Sequence, residues 1–273
     1  MIVARVPASS ANLGPGFDAL GMALSIVAEI GVGEPPDDSA KPVEERHPAN
    51  VAFGYGGGSG EVWVRSSVPV GRGVGFSAVM RVGGLLAAGA QRDPNSIDRL
   101  AVLAAAIDLE GHADNAAACL FGGVVATAAG AVVPVRLAVE PSVVLWIPEM
   151  SMSTRRSRAA LPSTVSFGDA AFNVGRTALL VAALAAGDVE ALRTATEDRL
   201  HQDVRFEGAA ASRVALDVAL QAGAWCGWLS GSGPTIATLC SHTAADSVVA
   251  ALPADGRATA LRIDFDGAVV LAG

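Results

Sequence analysis

Residues Val68–Ala78 read VPVGRGVGFSA, with Gly71, Gly73 and Gly75 at alternate positions directly ahead of an apolar run whose spacing predicts a helix over residues 77–90. Glycines let backbone N–H groups come close to an anion, and a helix N-terminus adds free donors and the positive end of its dipole. A phosphate could bind here. Taken alone, the run is better read as an ordinary glycine-rich turn before a helix. The dinucleotide spacing GxGxxG is not met. Lys41, the only lysine, is followed by Pro42 and lacks the glycines of a GxxxxGK[ST] loop.

Further along, Leu109–Gly123 reads LEGHADNAAACLFGG and packs Glu110, His112, Asp114 and Asn115 into six residues. Carboxylates can hold Mg²⁺ through oxygen, and an asparagine can bind an alcohol without acting as a strong base. The plain alternative is a helix start in which Asp114 satisfies free N–H groups. A third run, Leu229–Ile236 (LSGSGPTI), joins two apolar stretches and is equally a hairpin turn.

The remaining chain sets the frame. Its 273 residues are 51% hydrophobic and 17% charged, enough for a full core and for two domains. With 19 basic against 27 acidic residues the net charge is −8, and no basic stretch suits a nucleic acid. Glycines and a proline break the longest uncharged apolar region, so we expect no membrane span; no signal peptide is legible, and a cytoplasmic protein is expected. Cys119, Cys226 and Cys240 read as separate buried thiols, and the four histidines have no metal-ligand spacing. Strands are expected at residues 2–6, 19–30, 62–65, 122–128, 132–139 and 143–147, and helices at 96–110, 167–186, 189–199 and 209–222. Residues 31–60, rich in Pro, Gly, Asp and Glu, read as an exposed connection of weak internal structure. A boundary near Glu140 and Pro141 divides the chain into domains 1–140 and 141–273, and the mix of elements argues α+β.

Together with PASSANLGPGFDALGMAL at Pro7–Leu24, STRRSRAALP at Ser153–Pro162 and LHQDVR at Leu200–Arg205, these runs resemble the GHMP kinase superfamily in composition and order, and its homoserine kinase branch most closely. The resemblance spans nearly the whole chain. It implies an N-terminal domain like the second domain of ribosomal protein S5, a ferredoxin-like C-terminal domain, and phosphoryl transfer from ATP, with Mg²⁺, to the side-chain hydroxyl of homoserine on the route to threonine. Carried over residue by residue, Asn12 and Asp18 would meet the head of the amino acid. His112, Asp114 and Asn115 would line the substrate beside the transferred phosphate, with Asn115 and Glu110 as the catalytic pair, and Arg158 and Arg205 would clamp its carboxylate. Pro69, Gly71, Arg72, Gly73, Val74, Gly75 and Ser77 would wrap the nucleotide, Asn50 would stand on its adenine side, and Ser232 would belong to a closing loop. Glu110 and Ser77 would hold the metal. The implied partners are ATP and a small hydroxy amino acid, with neither nucleic acid nor membrane; a homodimer stays open.

Two departures stand out. The family's phosphate loop reads GLGSSA where this chain has GVGFSA, so Phe76 replaces a hydroxyl residue. The span from Asp18 to Pro69 is short, and the helix that should follow Asn50 is expected to be missing. They raise an alternative of another class: a catalytically impaired relative that binds an amino acid or regulates.

Overall fold

Ile2 opens a ten-residue strand, β1 (Ile2–Ala11), that turns through residues 12–19 into β2 (Leu20–Val32). The two pair antiparallel, and the register slips between Pro7 and Ala8, where proline has no N–H for the ladder. Next come β3 (Lys41–Pro42), α1 (Pro48–Tyr55) and β4 (Val62–Ser66), then α2 (Phe76–Arg92), α3 (Arg99–Glu110), α4 (Asp114–Phe121), β5 (Val124–Ala128) and β6 (Ala131–Val135). The computed structural model describes residues 2–272.

The second half runs β7 (Ser142–Pro148), α5 (Thr154–Ala159), α6 (Phe167–Ala186), α7 (Val189–Ala195), α8 (Gln202–Glu207), α9 (Ala210–Gln221), β8 (Cys226–Leu229), β9 (Ile236–Cys240), α10 (Ala245–Ala251), β10 (Gly256–Leu261) and β11 (Val269–Ala272). One sheet has the order β11-β1-β2-β4-β3, with β5 on β2 and β6 on β5; the other has the order β10-β7-β9-β8. The architecture is α+β. The last strand leaves the second half and pairs antiparallel with β1, Arg5 facing Val269.

The first sheet is covered by α2, whose residues Val79, Val82 and Leu86 are buried in a core shared with Ile30, Met22 and Leu120. A smaller core around Trp146, Phe206 and Ile236 lies in the second half. The helix α6 is 20 residues long with a mean hydropathy of 1.3 in its most apolar window, so by length and composition it could cross a bilayer. It packs through Leu180, Ala183 and Leu184, and its buried Asn173 donates to the Pro15 carbonyl and to Asp198.

Four expectations need correction, one of them the strand expected over 132–139, which spans Ala131–Val135. The helix after Asn50 exists: α1 has Pro48 at its start and the ring of His47 accepting from Ala49 N–H. It is short and holds Gly54, so its stability comes from docking on α2, where a Cβ at Gly84 would lie 2.2 Å from the Ala49 carbonyl oxygen. The connection over residues 31–60 therefore has structure, including β3. The helix expected over 189–199 stops at Ala195, because Asp198 turns its carboxylate onto the N–H groups of His201 and Gln202 ahead of α8.

Candidate active site

Between the glycine loop, α3–α4 and α5 lies a cavity of about 610 Å³. Its floor at one end is the start of α2. Gly75 caps that helix with φ +73°, no side chain caps it, and Gly75, Phe76, Ser77 and Ala78 all line the cavity. A Cβ at Gly75 would lie 2.1 Å from Ser9 Oγ, and one at Gly73, φ +75°, would lie 2.3 Å from the Ser230 carbonyl oxygen. No other residue fits either position without moving β1 or the 230–235 loop. The first turn of α2 is thus left with free donors facing open space.

The next wall is built where α3 ends and α4 begins. Glu110 is the last residue of α3; one of its oxygens lies 2.5 Å from Arg81 Nη1 and the other 3.9 Å from His112 Nε2. His112 Nδ1 is 3.0 Å from Asp114 Oδ1, and this hydrogen bond raises the imidazole pKa above its ordinary value, against the opposing effect of burial. Asp114 is buried and accepts from Asn115 N–H at 2.7 Å. Asn115 accepts at Oδ1 from Ser9 Oγ at 2.8 Å, and its Nδ2 donates to Asp114 Oδ1 at 3.5 Å, which leaves the second N–H of the amide as a donor.

At the far end the tight turn between β1 and β2 holds Asn12, Leu13 and Asp18 at positive φ. Asn12 is buried with its Nδ2 donating to the Gly231 carbonyl at 2.9 Å and its Oδ1 accepting from Asp18 N–H at 3.1 Å, so it fastens this turn to the 230–235 loop. Asp18 takes a two-pronged pair from Arg158, at 2.6 and 2.8 Å. Burial pushes the Asp18 carboxyl up, but the hydrogen bonds and charge of Arg158 outweigh it and the pKa is lowered. Arg205 is 3% exposed and donates through Nη1 to Gly231 O and to His201 Nδ1. Burial, with Arg158 nearby, brings its pKa down to about 10, so it stays charged at neutral pH. Phe17 lies between the two guanidiniums, 5.3 Å from Arg158 and 5.2 Å from Arg205.

Most residues singled out from the sequence meet at this one cavity, Ser232 and Arg72 included. Three do not line it. Val74 is fully buried, with its carbonyl accepting from Ser9 N–H; Pro69 precedes the loop; and Asn50 sits on α1, donating to the Glu44 carbonyl. Phe76 does line it, its ring edge-on to His47 at 6.2 Å. Among the residues at or beside the cavity that the sequence reading did not single out are Arg81, Phe17, His201 and Thr154. Two carried a signal in helical spacing, since Arg81 is four residues past Ser77 and His201 four before Arg205, each on the same helix face as the other.

The geometry has relatives. The family description GHMP kinases N terminal domain matches residues 42–123, and GHMP kinases C terminal matches residues 180–258. The homoserine kinase of Desulfitobacterium hafniense is 36% identical, covering 99% of this chain and 100% of that protein. The chain belongs to the GHMP kinase family. The homoserine kinase of Streptomyces coelicolor is 38% identical over 98% of this chain and 93% of its own. The crystal structure of homoserine kinase from Cytophaga hutchinsonii has the same fold, with a TM-score of 0.85 at 24% identity over 99% of this chain and 97% of that one. This GHMP kinase is accordingly a homoserine kinase-like phosphotransferase with an alcohol group as acceptor.

Proposed function

We propose that this GHMP kinase transfers the terminal phosphoryl group of ATP to the side-chain hydroxyl of homoserine, on the route to threonine. The observation that carries the acceptor is Arg205. Its guanidinium lines the cavity yet is buried, its Nε has no hydrogen-bond partner, and among the described residues no carboxylate comes within ion-pair distance. A buried cation short of a counter-ion is completed by a ligand carboxylate, for which a guanidinium fork is shaped. Asp18, at the same end, suits the ligand's ammonium group. The relatives named homoserine kinase support that amino acid over others.

In this reading the phosphates rest on the free N–H groups of the first α2 turn and on the glycine loop. The acceptor hydroxyl lies beside His112 and Asn115, whose task is to orient it, because transfer through a loose transition state depends on positioning more than on a strong base. The donor set also fits Mg²⁺. Glu110 Oε1 is buried and meets only the Arg81 guanidinium, 2.5 Å away and without an aligned hydrogen bond, and one carboxylate with the Ser77 hydroxyl is the sparse protein contribution that this ion takes when phosphates supply the rest. Among the described residues no group of three acidic, His or Cys side chains could hold a metal without the nucleotide. Bound there, Mg²⁺ would neutralise charge on the transferred group.

The reading of an impaired relative loses one of its two grounds, since α1 is in place behind Asn50. Phe76 remains, and its ring packs on His47 while the α2 donors and Ser77 still face the cavity. The test is ATP-dependent turnover with homoserine, threonine and serine, beside calorimetric binding of homoserine to Arg205→Ala. Homoserine should be turned over fastest, and the variant should lose about 2 to 5 kcal/mol of homoserine binding. Unchanged affinity in the variant would refute the placement of the carboxylate.

A further inference from the structure

Arg81 stands one helical turn beyond Ser77 on α2 and lines the same cavity, and helical side chains lean toward the N-terminus, the end at which Ser77 lies. There it meets Glu110, with Nη1 2.5 Å from Oε1 and side-chain exposures of 23% and 9%. The pair is close but badly aligned: Arg81 Nε and Glu110 Oε1 are both buried without a hydrogen-bond partner. Glu110 also ends α3, where the helix dipole disfavours negative charge, and no basic residue occupies that last turn. An ion pair serving the fold alone would be expected to satisfy these atoms. Both side chains instead border the cavity, paired with each other through one contact while these two atoms lack an aligned hydrogen bond.

We propose that Arg81 is a phosphate-binding residue for the donor nucleotide, and that Glu110 holds it in reserve until the nucleotide arrives. The glycine loop brings no lysine, and Phe76 offers no donor. Arg72 spends its guanidinium on the Val70 and Glu149 carbonyls. Arg155 and Arg158 come from α5 and Arg205 from α8, which leaves Arg81 as the cavity arginine carried by α2 itself, the helix whose first turn the phosphates would touch. A phosphate beside Ser77 would give the guanidinium the aligned oxygens that Glu110 does not. The displaced carboxylate would then be free for the cation that travels with the nucleotide. This inference rests on the reading of ATP as donor.

Calorimetry with ATP in the absence of metal separates the two. Binding to Arg81→Met should be weaker than to the unaltered protein by about 10- to 100-fold, the scale of a charge-assisted hydrogen bond, with Arg81→Lys recovering part of the loss. Glu110→Gln should tighten metal-free ATP by releasing Arg81, and that gain should vanish when Arg81→Met is added. Homoserine affinity should move little in any of them. If the unaltered protein and Arg81→Met bind ATP alike, or if the Glu110→Gln gain persists without Arg81, the role of Arg81 is overturned while ATP stands as donor. If the unaltered protein binds no ATP with or without Mg²⁺, the donor reading falls and this inference with it. Should Arg81→Met fail to fold, Arg81→Lys and Glu110→Gln carry the same comparison.

Discussion

His112 is tied at Nδ1 to the Asp114 carboxylate, while His201 is enclosed by Gly14, Phe17 and Arg205 with no exposed side-chain surface. The first is raised above the ordinary histidine pKa, chiefly by its bond to Asp114; burial lowers the second. Protonation therefore works in opposite senses at the two ends of one cavity. His112 contributes stability that is complete below the unfolded value near 6.5 and fades as pH rises through its raised folded value. His201 binds its proton more readily when unfolded, so its contribution is present above about 6.5 and is lost as pH falls from there toward its depressed folded value. Urea unfolding of His112→Asn and His201→Asn between pH 5.5 and 8 should show the first deficit shrinking with rising pH and the second growing. Parallel curves would mean that neither imidazole titrates as its surroundings dictate. The stakes at His201 are functional as well, since its neutral Nδ1 accepts from the guanidinium proposed to hold the substrate carboxylate.

At the scale of elements, what was legible in the sequence follows from how each element is stabilised. The glycine loop, α2 and the Glu110–Asn115 corner were readable as helix starts from their spacing: alternating glycines before an apolar run, and an acid in the first turn of α4 shortly after a glycine. The roles proposed for the residues they carry came instead from the resemblance to the GHMP kinase family, since each run taken alone reads equally well as a plain turn or helix start. By contrast α1 was hidden, as PANVAFGY is only eight residues long, holds the helix-weakening Gly54 and takes its order from a surface supplied by residues about 30 positions later. The break after α7 was hidden for a related reason: Asp198 caps α8 in a geometry that a helical run of Ala, Leu, Arg and Glu does not announce. The spacing of Arg81 from Ser77 puts it on the same face of α2, but that it meets the end of α3 depends on packing that one helix does not announce. The dependence of α1 on α2 can be measured. Gly84→Ala would place a methyl 2.2 Å from the Ala49 carbonyl oxygen and 2.9 Å from Phe53 N, both backbone atoms that cannot swing aside. The helices must part, at a cost of about 1 to 3 kcal/mol by chemical denaturation, the usual range for overpacking. A substitution that costs nothing would show that α1 adjusts freely and does not brace the His47 and Phe76 side of the cavity.

Across the whole molecule the cavity is a seam, and the 230–235 loop closes it. This loop follows β8 in the second sheet, yet its contacts reach into the first. Ser230 Oγ lies 2.7 Å from Ser10 Oγ and donates to the Gly73 carbonyl at 2.7 Å, and Gly231 N–H bonds to Ala11 O. Trp228 adds a hydrogen bond from its indole to Ser10 Oγ at 2.9 Å. Gly231 O receives both Asn12, from the β1–β2 turn, and Arg205, from α8. One peptide group thus joins the turn bearing Asp18 to the arginine proposed to hold the acceptor, and its neighbour fixes the glycine loop proposed to hold the donor. We propose that the chain divides near Glu140 into two folding units, which makes Ser10 and Ser230 a contact between them, buried and fully hydrogen-bonded. Ser10→Ala and Ser230→Ala should each cost about 1 to 3 kcal/mol, because each strands a buried partner, and the double variant should cost less than their sum by about 0.5 kcal/mol or more. The coupling should also show in kinetics: Ser230→Ala touches no ligand in this reading, yet it releases Gly73 and loosens the peptide shared by Asn12 and Arg205, so KM should rise for both ATP and homoserine. A rise for one substrate alone would mean that the two ends of the cavity are held independently, and additive stability losses would mean that this pair of serines does not join the two units.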